Sequence, residues 1–128
     1  MNEAEYRVAV QAARKAWIPL QVFRGRDYVL TLRFRNVDYS AAAIAAEVRN
    51  LPDSAGDPLL SFTVGTPVYS GGDTLIPLNI TDSETGGVPA AAETGLVAKF
   101  YWDIKITVGG LVDTIAAGPV QFIGRVTA

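Results

Sequence analysis

Cysteine and histidine are both absent from the 128 residues. Without cysteine there are no disulfides, thiolate metal sites or thiol nucleophiles. Without histidine there is no imidazole to ligate a metal, accept a serine proton or titrate near neutrality. Most hydrolase and metalloenzyme mechanisms close with those two absences, and a catalytic group would have to be a carboxylate, Lys, Tyr, Ser or Thr. Charge is scarce too, at 19% of residues against 49% apolar. A chain so composed carries enough apolar surface to offset its ordering entropy, which argues against disorder. Its length fits one domain that buries about two thirds of its unfolded surface. Nowhere do apolar residues run on for the roughly 18 positions of a membrane span. Residues 1–16 (MNEAEYRVAVQAARKA) carry charges throughout and hold no long apolar stretch, so no signal peptide is read there and synthesis in the cytosol is expected. Neither glycine pattern for phosphate binding, Gly-x-x-x-x-Gly-Lys or Gly-x-Gly-x-x-Gly, occurs. These absences lead to an expectation of a binding or structural protein with no enzyme activity, cofactor, metal or small-molecule substrate.

The net charge of −2 is unevenly spread. Residues 1–50 hold eight basic side chains against five acidic ones, and residues 51–128 hold three against eight, so the two parts carry +3 and −5. Either the opposite charges meet across one folded domain, or basic surface on one subunit stacks on acidic surface of another.

Alternation of apolar and polar residues dominates from residue 17 onward. In 97–108 (VAKFYWDIKITV) the even positions are Ala98, Phe100, Trp102, Ile104, Ile106 and Val108, while Lys99, Asp103, Lys105 and Thr107 are odd. Successive strand side chains point to opposite faces, so this reads as a long strand with one buried and one wet face. The same alternation occurs in 27–35, 43–49, 59–64, 74–80 and 119–127. It predicts a core centred on Trp102, Phe100, Leu32, Phe34 and Phe122. Turn signals separate the runs at Arg24–Asp27, Pro52–Asp57, Ser70–Asp73 and Gly109-Gly110, the last a two-residue hairpin signal because glycine accepts positive φ at both central positions. Pro19 and Pro77 each lack a ladder donor, which pushes their runs toward sheet edges or bulges.

Two segments break the alternation and set the domain organisation: an arm over 1–16 and a β-sandwich over 17–128. Residues 3–16 are rich in alanine and lack Gly and Pro, so they favour a helix, though one this short needs something to pack on. The arm is expected, helical or extended, to reach across a neighbouring subunit with Arg7, Arg14 and Lys15 against acidic surface. Residues 81–95 (TDSETGGVPAAAETG) read as a long exposed connection. Thr81-Asp82-Ser83-Glu84 in it can cap a short helical turn, and the spacing of Asp82, Glu84 and Glu93 matches no calcium loop.

Asp103 flanked by Lys99 and Lys105 reads as a solvated charge pair on the outward strand face. Arg24, Arg26, Arg33 and Arg35 form the densest basic stretch, with Tyr28 and Phe34 between them. On a strand those rings point away from Arg33 and Arg35 and cannot stack beside them, so nucleic acid is not an expected partner. Contact with an acidic neighbour subunit is. Trp17, Phe23, Tyr69 and Tyr101 face outward or lie on loops by parity, and outward aromatics are enriched at interface hot spots, unless some of them tuck under the arm. The expected interface draws on Tyr6, Arg7, Val10 and Arg14 of the arm, on Trp17, Phe23 and Tyr101, and on the four arginines Arg24, Arg26, Arg33 and Arg35.

The ordered set Tyr101-Trp102-Asp103-Ile104-Lys105-Ile106, Gly110, Val112 to Ala117, Gly118, Val120-Gln121-Phe122 and Val126-Thr127 resembles the closing pattern of a small domain family in the virion proteins of tailed bacteriophages and prophages. The Arg24-Gly25-Arg26-Asp27 turn, Ala46-Glu47-Val48-Arg49 with its following Pro-Asp loop, and Leu60 to Val64 extend that resemblance over about residues 17–128. The 81–95 crossing is longer and richer in alanine than the family's short helical turn, and the arm has no counterpart in it. The resemblance implies an all-β, immunoglobulin-like antiparallel sandwich of seven or eight strands without catalysis. It also implies a place in the virion (tail, baseplate or fibre, with a head-decoration role as the alternative), and partners among other virion proteins and copies of itself. A carbohydrate-binding or adhesin module is the rival of another class, with Tyr101, Asp103 and Lys99 as its nearest approach to a sugar face.

Overall fold

Gly109 and Gly110 take φ of 58° and 80° and close a two-residue turn between β9 (Val97–Val108) and β10 (Leu111–Ile123). This long hairpin is the spine of the molecule. The computed structural model describes residues 2–52, 56–86 and 97–124. On the far side of β9 lie β4 (Ala43–Arg49), antiparallel to it, and then the short β5 (Leu60–Ser61). Beyond β10 the chain's first extended run pairs in parallel as two pieces, β1 (Ala16–Trp17) and β2 (Leu20–Phe23). A second sheet orders β3 (Tyr28–Phe34), β8 (Asp73–Ile80) and β6 (Thr63–Val64), with β7 (Val68–Ser70) also on β8. The chain passes from one sheet to the other at Phe62, between β5 and β6, where the buried ring meets Trp102 edge-on at 6.0 Å. The fold is all-β, with two mainly antiparallel sheets, helix α1 (Glu3–Ala12) and the single turn α2 (Asp82–Gly86).

The core forms where the alternation places it. Ala98, Phe100, Trp102, Ile104 and Ile106 of β9 face Leu32, Ile76, Leu78 and Ile80 of the second sheet in one buried cluster. A bulge in β10 between Thr114 and Ala116 lets Ile115 and Ala116 both enter it, after which Val120 and Phe122 keep the inward parity. Phe34 departs from the expected core: it is half-buried and packs edge-on against Tyr39 at 5.7 Å. Among the described residues β3 has β8 as its one neighbour, and Phe34 at the strand's end is covered less than Leu32 in its middle, which is 6% exposed. Val126 lies outside the described residues.

Pro77 also departs from expectation, since β8 is central rather than at an edge. Thr63 and Val64 of β6 pair with Asn79 and Leu78, and Val68 of β7 pairs with Leu75. Residue 77 therefore faces the gap between two short strands, where no ladder donor is required, and its carbonyl still accepts from Gly65 N at 2.8 Å. Pro19 falls in the break between β1 and β2, at the sheet edge where such a residue is tolerated.

That break has a purpose in the packing. The Trp102 indole N–H donates to the Ile18 carbonyl at 2.8 Å, reaching past β10 to the strand beyond. Gly118, the β10 partner of Trp102, lies between them. A Cβ on Gly118 would sit 2.2 Å from the Ile18 oxygen, so the carbonyl occupies the place a side chain would take. Trp102 is 1% exposed, and a buried indole N–H needs such a partner. Trp102→Phe, which keeps a ring but leaves that carbonyl without its donor, is expected to cost about 1–3 kcal/mol, and Trp102→Ala about 3–5 kcal/mol. Gly118→Ala must displace β1 and β2 and is expected to cost about 1–3 kcal/mol. Urea midpoints measure all three, and an unchanged midpoint for Trp102→Phe would refute the role of this bond.

Candidate functional site

The arm folds onto its own subunit. Asn2 and Glu5 form a reciprocal cap at the start of α1. The helix ends in a Schellman turn, with Lys15 N donating to Val10 O and Arg14 N to Gln11 O. Arg14 occupies the left-handed position of that turn at φ 59°, where glycine is usual. Tyr6 and Val10 point down and are buried with Ala117 of β10, against half-buried Trp17 and Tyr101. The Tyr6 ring meets Trp17 edge-on at 5.6 Å and Tyr101 at 6.3 Å. Two ion pairs at 2.7 Å, Glu3 with Lys99 and Lys15 with Asp113, fix the helix at its two ends.

These contacts correct the expectation that the arm reaches a neighbour. Of the interface candidates, Tyr6, Val10, Trp17 and Tyr101 are engaged within the subunit; the outward parity of Trp17 and Tyr101 is right, but the outward face beneath α1 is covered. Asp103 is corrected for the same reason. It is 5% exposed rather than solvated, and Lys105 approaches it only to 3.9 Å. The charge asymmetry resolves partly inside the domain, through Lys15–Asp113 and Arg33–Asp73.

Between α1 and the sheet lies an open cleft of about 250 Å³ with Lys15, Asp103, Asp113 and Thr114 on its walls. Two carboxylates and a lysine thus share a concavity, which alternation alone does not disclose because it forms only once the helix is docked. Lys15 and Asp113 neutralise each other there. No cluster of three metal-ligating side chains occurs among the described residues.

The four arginines do not form one patch. Arg24 donates to the Gly86 carbonyl at 3.0 and 3.2 Å and, together with Thr85, ties α2 to the turn that precedes β3. That turn also carries Arg26, which is exposed. Arg33 and Arg35 stand at the other end of β3, the length of a seven-residue strand away, roughly 20 Å. Arg33 donates twice to the Asp73 carboxylate, at 2.8 and 2.5 Å. Those bonds, with another from Asn36 N, hold the Asp73 carboxyl below its usual range. The remaining candidates, Arg7, Arg14, Phe23 and Arg35, are exposed. Thr81 and Glu84 cap α2 reciprocally, as the sequence predicts, whereas the rest of the long connection, residues 87–95 with Glu93, lies outside the described residues.

No family model matches the chain, and a search of curated proteins finds no match.

Tyr6→Ala removes the side chain that holds the helix down and should weaken α1 docking by about 3 kcal/mol. Trp102 is buried in the core, so acrylamide quenching gained by this variant would report Trp17, and quenching equal to wild type would count against the docked arm. Alkaline pH should act on the same contact. A hydrogen bond from Lys99 to Glu3 holds the ammonium above its usual range. Burial, then the Glu3 charge, pushes the Tyr101 phenol up. Both groups are raised, so their contributions are present below about pH 10 and are lost as pH climbs through the raised values. Trp17 should become quenchable above about pH 10, and Lys99→Met should shift that onset; a flat profile to higher pH would exclude the coupling.

Proposed function

We propose that the chain is a non-enzymatic building block of a phage or prophage virion, an immunoglobulin-like sandwich that acts through contacts between subunits. The observation that carries this reading is the sheet order. A first run parallel to the last strand, followed by β10, β9, β4 and β5, faces β3, β8 and β6, an order that supports an immunoglobulin-like sandwich. If the pieces β1–β2 and β5–β6 are each read as one interrupted strand, the described residues form eight strands. The resemblance of residues 17–128 to phage structural domains supplies the virion context. Tail, baseplate or fibre is the preferred place, and head decoration the alternative.

The surface fits such a role. Leu111 and Val112 at the β9–β10 tip are 79% and 65% exposed, and Val29 on β3 is 73% exposed, in a domain otherwise held rigid by its ladders. Weak contacts of this kind suffice where each subunit has several neighbours, because each bond then forms at high effective concentration. The carbohydrate-module alternative needs an open aromatic face with polar groups beside it. Tyr101 and Asp103 lie under α1, and Lys99 is paired with Glu3, which leaves that reading without its site.

Mass spectrometry of particles purified from the induced source strain tests the assignment. The protein is expected in the particles in many copies; its absence from them, with the protein present in the lysate, would overturn the virion reading.

A further inference from the structure

Among the described residues β3 has one hydrogen-bonded neighbour, β8. In a sandwich closed on this side the first run would pair with β3. Here both of its pieces pair with β10 instead, and none of the other described residues pairs with the outer flank of this seven-residue strand. The direction of its backbone groups follows from β8. Pro77 O accepts from Gly65 N on the β6 side. Alternate residues of an antiparallel strand turn their N–H and C=O groups to opposite flanks, so Thr74, Ile76, Leu78 and Ile80 turn theirs toward β3. They stand opposite Phe34, Leu32, Leu30 and Tyr28. The backbone groups of Val29, Thr31 and Arg33 therefore point away from β8, into that outer flank. Neither a proline nor a register shift interrupts β3, so two of the usual devices that blunt an edge are missing.

We propose that this flank pairs antiparallel with β3 of a second copy of the chain, about a two-fold axis at Thr31. The segment Asp27-Tyr28-Val29-Leu30-Thr31-Leu32-Arg33-Phe34-Arg35 complements itself in that register. Thr31 meets Thr31 of the second copy, Leu30 meets Leu32, Tyr28 meets Phe34, and Asp27 meets Arg35, the last three pairs each formed twice. The backbone-bonded pairs would be 31 with 31 and 29 with 33, drawn from the residues whose N–H and C=O groups face outward, while Asp27 and Arg35 flank the strand and would meet through their side chains. Slipping by one step brings Asp27 against Arg33, which Asp73 already holds; slipping the other way sets it against Val37. Tyr28, Leu30 and Phe34 are half-buried in the lone subunit, and the second copy completes their cover. Val29, 73% exposed, comes under the aliphatic stem of the second copy's Arg33.

This contact rests on the assembly reading and deepens it by naming one surface and its partner. Arg35→Glu sets like charges against each other at both ends of the pair and is expected to weaken self-association by about tenfold, read by sedimentation equilibrium at low salt. Asp27→Arg combined with Arg35→Glu restores opposite charges and should restore association. Asp27 also accepts from Asp82 N at 2.7 Å, so circular dichroism confirms that each variant is folded. Thr31→Cys gives the chain its only thiol and should cross-link copy to copy with a short bis-maleimide, while Val8→Cys on exposed α1 should not. A wild-type chain that stays monomeric at high concentration overturns the proposal, and so does association undiminished by Arg35→Glu. In the second case the copies meet elsewhere and the assembly reading stands, whereas absence from purified particles removes that reading and leaves the β3 pairing to be judged by these variants.

Discussion

The hydrogen bond from Trp102 to the Ile18 carbonyl links three strands that otherwise touch only in sequence along the sheet. It requires Trp102 on β9 to be buried, Gly118 on β10 to lack a side chain, and the first run to break so that Ile18 O turns inward. Each requirement has further effects. The break at Ile18-Pro19 splits the run into β1 and β2, and β1 sets Trp17 on the outer face. Trp17 then becomes one wall of the seat for Tyr6. The docking of α1 on one face of the sheet thus depends on a bond made on the other.

The sequence makes the interior legible and the exterior much less so. Strand parity alone locates Trp102, Phe100, Leu32 and Phe122 in the core, because a residue's inward direction is a local property of the backbone. Whether an outward face meets water is not local. The odd positions of β9 carry Lys99, Tyr101, Asp103 and Lys105 and read as wet, yet a helix from the opposite end of the chain covers part of them. The same limit explains Phe34, since nothing within β3 reveals that, among the described residues, it pairs on one side only. Pro77 shows a third limit. Its tolerance in a central strand depends on where β6 stops and β7 starts, which no property of residues 74–80 encodes.

The helix also answers the charge asymmetry in a way the counts do not anticipate. Glu3 pairs with Lys99, and Lys15 with Asp113, so the arm carries an acid to a base at one end and a base to an acid at the other. Surface pairs of this kind add little stability each. Their value lies in orientation, because the reversed docking would set like charges together at both ends. Apolar contact at Tyr6 and Val10 supplies the attraction, and the two pairs choose its direction.

The parallel pairing of the first run with β10 has a mechanical consequence. A pull applied at the beginning of β1 and at the end of β10 acts along both strands in opposite senses. Every rung of that ladder is then loaded sideways and at once, as in a lap joint, instead of opening one rung at a time like a zip. The turn at Gly109-Gly110 bears none of this load, since β10 transmits it straight to the neighbouring run. The Trp102 bond and the packing of Gly118 against Ile18 lie across the direction of sliding, where they act as a detent. A sandwich wired in this way is stiff along its strands and yields more readily to forces that peel the sheet from its edge.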